Sequence, residues 1–170
     1  MSTYLSNKSK HLAYLLRHSS LPNQEGWLDV SVLFDNYGFL ENELDDIVEQ
    51  DVKGRFDFSK DKRFVRALYG HSNHVALNLE SSIPPAILYH GTATKYLEKI
   101  REEGLRSKSR NYVHLSEKQD DAIMVGVRHG DPIVLKINVA DMVGDGLVFY
   151  KCQSGIWLTQ KVDAKYLIIE

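Results

Sequence analysis

Five short clusters in this chain carry residue types that phosphate chemistry requires. Arg17 and His18 stand together in Leu15-Leu16-Arg17-His18-Ser19, and Arg55 follows Asp51-Val52-Lys53-Gly54. Gly70-His71-Ser72 and His90-Gly91-Thr92 each join a histidine to small residues, and Ser109-Arg110-Asn111-Tyr112-Val113-His114-Leu115-Ser116 spaces an arginine and a histidine four apart. A guanidinium stays charged and grips phosphate through two parallel hydrogen bonds. Histidine alone exchanges a proton near neutral pH without help. A strand-to-helix turn offers backbone N–H groups to an anion, which is how His90-Gly91-Thr92 reads. Each cluster also has a structural account. Cations are favourable at a helix C-terminus, Gly and Ser are ordinary turn residues, and a histidine within a strand is commonly half buried.

The elements that must position these residues are those of an α+β protein. Leu12, Leu15 and Leu16 recur at helical spacing up to Ser19-Ser20, with Pro22 beyond. A short extended segment at Gly26 to Val30 precedes an amphipathic stretch closed by Gly38, and a third helix carries Leu44, Ile47 and Val48 among acids. Arg55 to Phe58 and Phe64 to Leu68 predict a hairpin around Ser59-Lys60-Asp61-Lys62. Residues 79–86, with Ser81-Ser82 and Pro84-Pro85, read as a linker that begins near Asn78 and separates lobes at 1–78 and 87–170. In the second lobe Ile87 to His90 is a strand, and Thr92 or Thr94 caps a helix ending before Gly104. Strands follow at Tyr112 to Leu115, Ile133 to Val139, Leu147 to Lys151, Gly155 to Thr159 and Tyr166 to Ile169, and Ser116-Glu117-Lys118-Gln119 matches a capping box. Trp157 and Gly26-Trp27 are expected to pack within their lobes.

Composition narrows the class. The 170 residues are 43% apolar and 26% charged, which is globular and excludes disorder, collagen-like repeats and coiled coil. No apolar run approaches the roughly 20 residues of a membrane span, and Met1 to Tyr4 lacks a secretory pattern. One cysteine, Cys152, excludes an internal disulfide or cysteine-rich zinc site, so an intracellular, cytoplasmic protein without a metal cluster is expected. The net charge of −2 gives no long-range attraction for nucleic acid, although Lys95 to Arg110 sums to +3. Phosphate recognition therefore has to come from arginines gathered by the fold.

The order and spacing of the motifs resemble the NAD-dependent RNA 2′-phosphotransferase family across nearly the whole chain. The blocks run from Leu12 to His18 through Gly26-Trp27, Lys53-Gly54-Arg55-Phe56 and Arg66 to Ser72. They continue through Leu88 to Thr92, Ser109 to Ser116, Gly126 to Gly130 and Gly155 to Thr159. The resemblance implies a winged-helix lobe that helps hold RNA and a strand-rich lobe of the ADP-ribosyltransferase type that holds NAD. It places the essential set on Arg17, His18, Arg55 and Arg110, meeting around one phosphoryl group. It implies NAD contacts at His90, Gly91, Thr92, His114 and Arg128, and RNA contacts at His71 and Ser72. Two positions depart from the family pattern. Asp51-Val52-Lys53-Gly54 stands where Asn-Asp-Lys-Gln is usual, and Tyr69 stands where Gln is frequent.

The activity implied is removal of an internal 2′-phosphate from RNA of the tRNA splice-junction type. The 2′-phosphate attacks the nicotinamide ribose, and a ribose 2″-hydroxyl then displaces the RNA. The products are ADP-ribose 1″,2″-cyclic phosphate and RNA with a free 2′-hydroxyl. His18 serves the second step as acid to the RNA 2′-oxygen or as base to the 2″-hydroxyl. NAD is consumed, no metal is called for, and a monomer acting on RNA is expected. Two other classes stand beside this one. An ADP-ribosyltransferase acting on terminal phosphates would need the NAD turn but not the full arginine–histidine set. A non-catalytic winged-helix module would call for a basic third helix, whereas Glu41 to Asp51 is acidic.

Overall fold

The computed structural model describes residues 2–73, 75, 77, 79–152 and 155–168. Their contacts divide the chain into two compact units, Met1–Asn78 and Leu79–Glu170. Asn78, at the start of the expected linker, and Ile169, at the end of the expected last strand, lie outside the described residues.

In the first unit, helix α1 (Thr3–His18) starts earlier than the leucine spacing suggests, because Ser2 caps it through a hydrogen bond from Leu5 N. Strand β1 (Trp27–Asp29) leads into α2 (Val30–Tyr37), whose cap is the Asp29 carboxylate accepting from Ser31 N, and α3 (Glu41–Glu49) follows. The hairpin strands β2 (Phe56–Phe58) and β3 (Phe64–Ala67) complete an antiparallel sheet in the order β1-β3-β2. Its inner face gives Leu28, Phe56, Val65 and Ala67 to a core with Leu12, Leu16, Leu33 and Ile47. Its other face carries the register row Trp27, Arg66 and Asp57. Alternation along each strand forces that separation.

The second unit is built on a six-stranded antiparallel sheet. Its members are β4 (Ile87–Ala93), β6 (Val113–Ser116), β7 (Pro132–Asn138), β8 (Tyr150–Lys151), β9 (Ile156–Thr159) and β11 (Leu167–Ile168). They are ordered β11-β7-β4-β6-β9-β8, and β5 (Leu105–Arg106) pairs with β10 (Lys161–Val162) separately. Helices α4 (Leu97–Glu103), α5 (Gln119–Gly126) and α6 (Val139–Gly144) complete the unit. Leu88, Leu135, Ile137 and Trp157 are central to the core, and Trp157 is 2% exposed, as its expected packing role requires.

Two local expectations are corrected. The strand expected to end at His90 continues to Ala93, because Gly91, Thr92 and Ala93 extend the ladder opposite Val134, Ile133 and Pro132. His90-Gly91-Thr92 therefore lies inside a strand and is not a strand-to-helix turn. The capping box at Ser116 does not form: Ser116 belongs to β6, and α5 starts after Lys118 with no side-chain cap. Among the described residues no helix is long and apolar enough to cross a membrane.

Candidate active site

Arg17 and His18 close α1, where the last carbonyls of a helix need partners. The segment after β3 supplies them. Ser72 N and Asn73 N donate to Arg17 O at 3.0 and 3.2 Å, and the Asn73 amide donates to Leu16 O and Ser19 O at 3.3 and 3.0 Å. This folding-back brings Gly70-His71-Ser72 against Arg17-His18, two clusters more than fifty residues apart in sequence. Gly70, at φ +87°, makes the approach possible: a Cβ there would lie 3.2 to 3.3 Å from the Arg17 guanidinium. The Arg17 Cζ sits 5.0 Å from the centre of the Tyr69 ring, a cation–π contact.

The exposed His18 ring meets Ser72 Oγ through Nδ1 at 2.7 Å. A hydroxyl both donates and accepts. With Ser72 donating, the outer Nε2 carries the proton and can give it up; with Ser72 accepting, Nε2 presents a lone pair and can take one. His71, one residue earlier, behaves differently. It is 2% exposed, neither ring nitrogen has a hydrogen-bond partner, and Nε2 faces the Gly26 turn. Burial first, then the charges of Arg17 and His18, push it down to about 4. The ring is thus enclosed within the first unit. Ser72 remains exposed.

Arg55 is not the exposed strand charge that its position suggests. It precedes β2, half buried, with Nε and Nη2 on Asp51 Oδ1 at 2.9 and 2.8 Å and Nη2 on Ser9 Oγ at 2.8 Å. The Asp51 carboxylate also accepts from the Arg55 backbone N–H. The Tyr69 hydroxyl donates to Lys53 O at 2.8 Å while its ring lies against Arg17. Tyr69 thus ties the loop carrying Arg55 to the end of α1, so its departure from the family pattern has a structural use.

In the second unit His90 and His114 are joined across the β4–β6 pair. His90 Nδ1 donates to His114 O at 3.0 Å, and His114 Nδ1 donates to Tyr112 O at 3.1 Å. Each donation fixes the tautomer and leaves Nε2 as the ring's acceptor side. His90 is held below the usual histidine range by burial, opposed by its backbone hydrogen bond, with the charges of His129 and Arg110 also lowering it. Arg110 and His129 are therefore within electrostatic reach of His90. His129, inside the Gly126 to Gly130 block, was given no role of its own in the sequence; it closes the short 3-10 turn Val127–His129. Arg110 and Arg128 are exposed, and Thr92 is 6% exposed.

The missing side chain of Gly91 makes room for α5: a Cβ there would lie 1.7 Å from Ala122 O. Gly126 of the same helix answers it, since a Cβ there would lie 2.7 Å from Thr92 O. Among the described residues no group of three or more His, Cys, Asp or Glu could hold a metal ion.

The amino-acid sequence matches a family model over most of its length. The model described as RNA 2′-phosphotransferase, Tpt1 / KptA family, matches residues 5–161. A protein of Acaryochloris marina named Probable RNA 2′-phosphotransferase is 42% identical over 178 residues, covering 99% of this chain and 98% of its own length. Proteins of the same name from Pectobacterium atrosepticum and Pseudomonas fluorescens are 41% and 40% identical, with at least 96% of each chain covered. The chain belongs to the Tpt1/KptA family of RNA 2′-phosphotransferases.

Proposed function

We propose that this protein removes an internal 2′-phosphate from RNA at the expense of NAD. The supporting observation is the end of α1, where Ser72 holds the exposed His18 imidazole and the half-buried Arg17 lies beside it. On this reading unit one, residues 1–78, is a winged-helix RNA-binding lobe. Residues 79–86 are a linker, and 87–170 form an ADP-ribosyltransferase-like lobe. The enzyme is a cytoplasmic monomer that uses NAD as a consumed co-substrate and needs no metal.

An RNA 2′-phosphate oxygen attacks the anomeric carbon of the nicotinamide ribose, and the C–N bond breaks with its electron pair leaving on nicotinamide. The ribose 2″-hydroxyl then attacks phosphorus, the bond to the RNA 2′-oxygen breaks, and a proton passes from the entering to the leaving oxygen. Arg17 and Arg55 offset charge on the 2′-phosphate, and Arg110 offsets charge beside His90. Asp51 and Ser9 hold the Arg55 fork in place before substrate arrives. His18 passes the proton of the second step, and the Ser72 hydroxyl suits either direction of transfer. His90, with Nε2 as its acceptor side, fits a hydroxyl donor of a dinucleotide ribose, and His114 stands beside it across the β4–β6 pair. Thr92 and Arg128 complete the NAD contacts, and Gly91 is left to packing.

The test is incubation with NAD and an oligoribonucleotide bearing one internal 2′-phosphate, followed by analysis of both products. Phosphate loss with appearance of the cyclic ADP-ribose phosphate is expected. ADP-ribosylated RNA as the end product favours an ADP-ribosyltransferase instead, and no consumption of NAD overturns both. Arg55→Ala should lower turnover by about 10²–10³, the scale of losing one pre-placed charge donor. Arg101→Ala, an exposed residue paired with Glu98, should leave turnover unchanged.

A further inference from the structure

The outer face of the β1-β3-β2 sheet holds a groove of about 400 Å³, lined in part by Asn23, Trp27, Phe58, Lys60, Phe64 and Arg66. Two aromatic rings on this face each carry a cation. Arg66 Cζ stands 4.3 Å from the centre of the Trp27 ring and Arg63 Cζ 5.4 Å from Phe64. The Arg66 Nε is buried without a hydrogen-bond partner, and its one ion pair, Nη2 to Asp57, is 3.5 Å long. Packing in the first-unit core would have explained Trp27, yet it stays half exposed on the face opposite that core. Nothing in the phosphotransfer chemistry uses these residues.

Charge selects the occupant. From Phe56 to Ala67 the hairpin has Lys60, Arg63 and Arg66 against Asp57 and Asp61, a sum of +1 in a chain whose net charge is −2, while Lys62 is taken up by Asp45 and Glu49 of α3. Helix α3 carries Glu41, Glu43, Asp45, Asp46 and Glu49 with no base, so it repels a polyanion. Its Leu44 and Ile47 join the core beneath the inner face of the sheet. An anionic chain is thus turned away from the third helix and drawn to the outer face of the hairpin. Aromatic rings and guanidinium planes are stacking partners for unpaired bases, and a lysine at the rim meets a phosphate.

The geometry points to this groove as a binding site for an unpaired nucleotide of single-stranded RNA, with a base stacked on the Trp27–Arg66 pair and Lys60 on its phosphate. It rests on the reading of RNA as substrate and extends that reading to nucleotides away from the 2′-phosphate. Binding of a 12-nucleotide oligoribonucleotide without 2′-phosphate, in the absence of NAD, is the direct probe. The expected results are quenching of tryptophan fluorescence that disappears in Trp27→Phe, and about tenfold weaker binding for Arg66→Ala, the scale of one lost base stack. Lys60→Ala, at an exposed turn where folding is not at stake, should weaken binding less and lower its salt dependence. Arg101→Ala should bind as wild type.

Unchanged affinity in Arg66→Ala overturns the site, as does quenching that survives in Trp27→Phe. Equally tight binding of a polyglutamate peptide would leave charge without base recognition, and overturns it too. Loss of groove binding alongside intact dephosphorylation removes this inference alone. Groove binding without dephosphorylation removes the proposed reaction and leaves the groove.

Discussion

In the proposed reaction, the direction in which the His18 proton travels depends on one hydroxyl. Ser72 Oγ lies 2.7 Å from Nδ1 and orients a ring that is otherwise exposed. Ser72→Ala frees that ring, and a lost hydrogen bond to a group that becomes charged corresponds to about tenfold in rate. The second step should slow by that amount, so ADP-ribosylated RNA builds up in a single turnover with NAD while nicotinamide release keeps its wild-type rate. Equal slowing of both steps would assign Ser72 to binding instead. The Arg17-His18 pair was legible in the sequence because a basic pair ending a leucine-spaced helix is a local pattern. The burial of His71 was not. Gly-His-Ser reads as a turn, and only the return of that segment onto the α1 carbonyls encloses the ring. The Arg55 partners were hidden for a related reason: Asp51 is close in sequence, but Ser9 is 46 residues away.

Elements were read best where a period ran long enough to count. The three helices and the hairpin of the first unit emerge from spacing and turn residues, and each is present with its ends moved by caps such as Ser2. Helix α6 and the two-residue strands β5 and β10 were missed because they are shorter than any period that could announce them. Strand β4 was cut short because Gly91 resembles a turn residue. Its glycine instead answers α5, which sits so close that helix and strand meet backbone to backbone at Gly91–Ala122 and Gly126–Thr92. Gly91→Ala places a methyl carbon 1.7 Å from a carbonyl oxygen that belongs to a helix backbone and cannot step aside. Overpacking of this kind costs about 1–3 kcal/mol or more. The variant should show a markedly lower melting temperature and, if the proposed NAD contact at His90 on the same strand holds, weakened NAD binding. A wild-type melting temperature would mean that α5 stands further off than the geometry has it.

At the scale of the molecule, pH acts on stability through groups whose titration is shifted by folding. His71 has the ordinary histidine value of 6.5 when unfolded and about 4 when enclosed. Below pH 6.5 the unfolded chain takes up a proton that the folded chain refuses, so stability is full above 6.5 and falls as pH descends toward 4. Glu43 works in a lower window. The Lys8 ammonium, aided by Leu40 N–H and the Tyr4 hydroxyl, holds its carboxyl at about 2 from an ordinary 4.5, so its contribution is lost only as pH falls below 4.5. The two windows barely overlap, which lets one substitution separate them. His71→Leu keeps an apolar side chain of similar size in the enclosed site and removes the titration. The proton-linked loss between pH 6.5 and 4, roughly 3 kcal/mol from a shift of this size, should shrink in the variant, while the steeper fall below pH 4.5 should persist. Denaturant unfolding at pH 7, 5.5, 4.5 and 3.5 measures both arms. Parallel stability curves for wild type and variant across the upper window would mean that the His71 ring takes up its proton in the folded state.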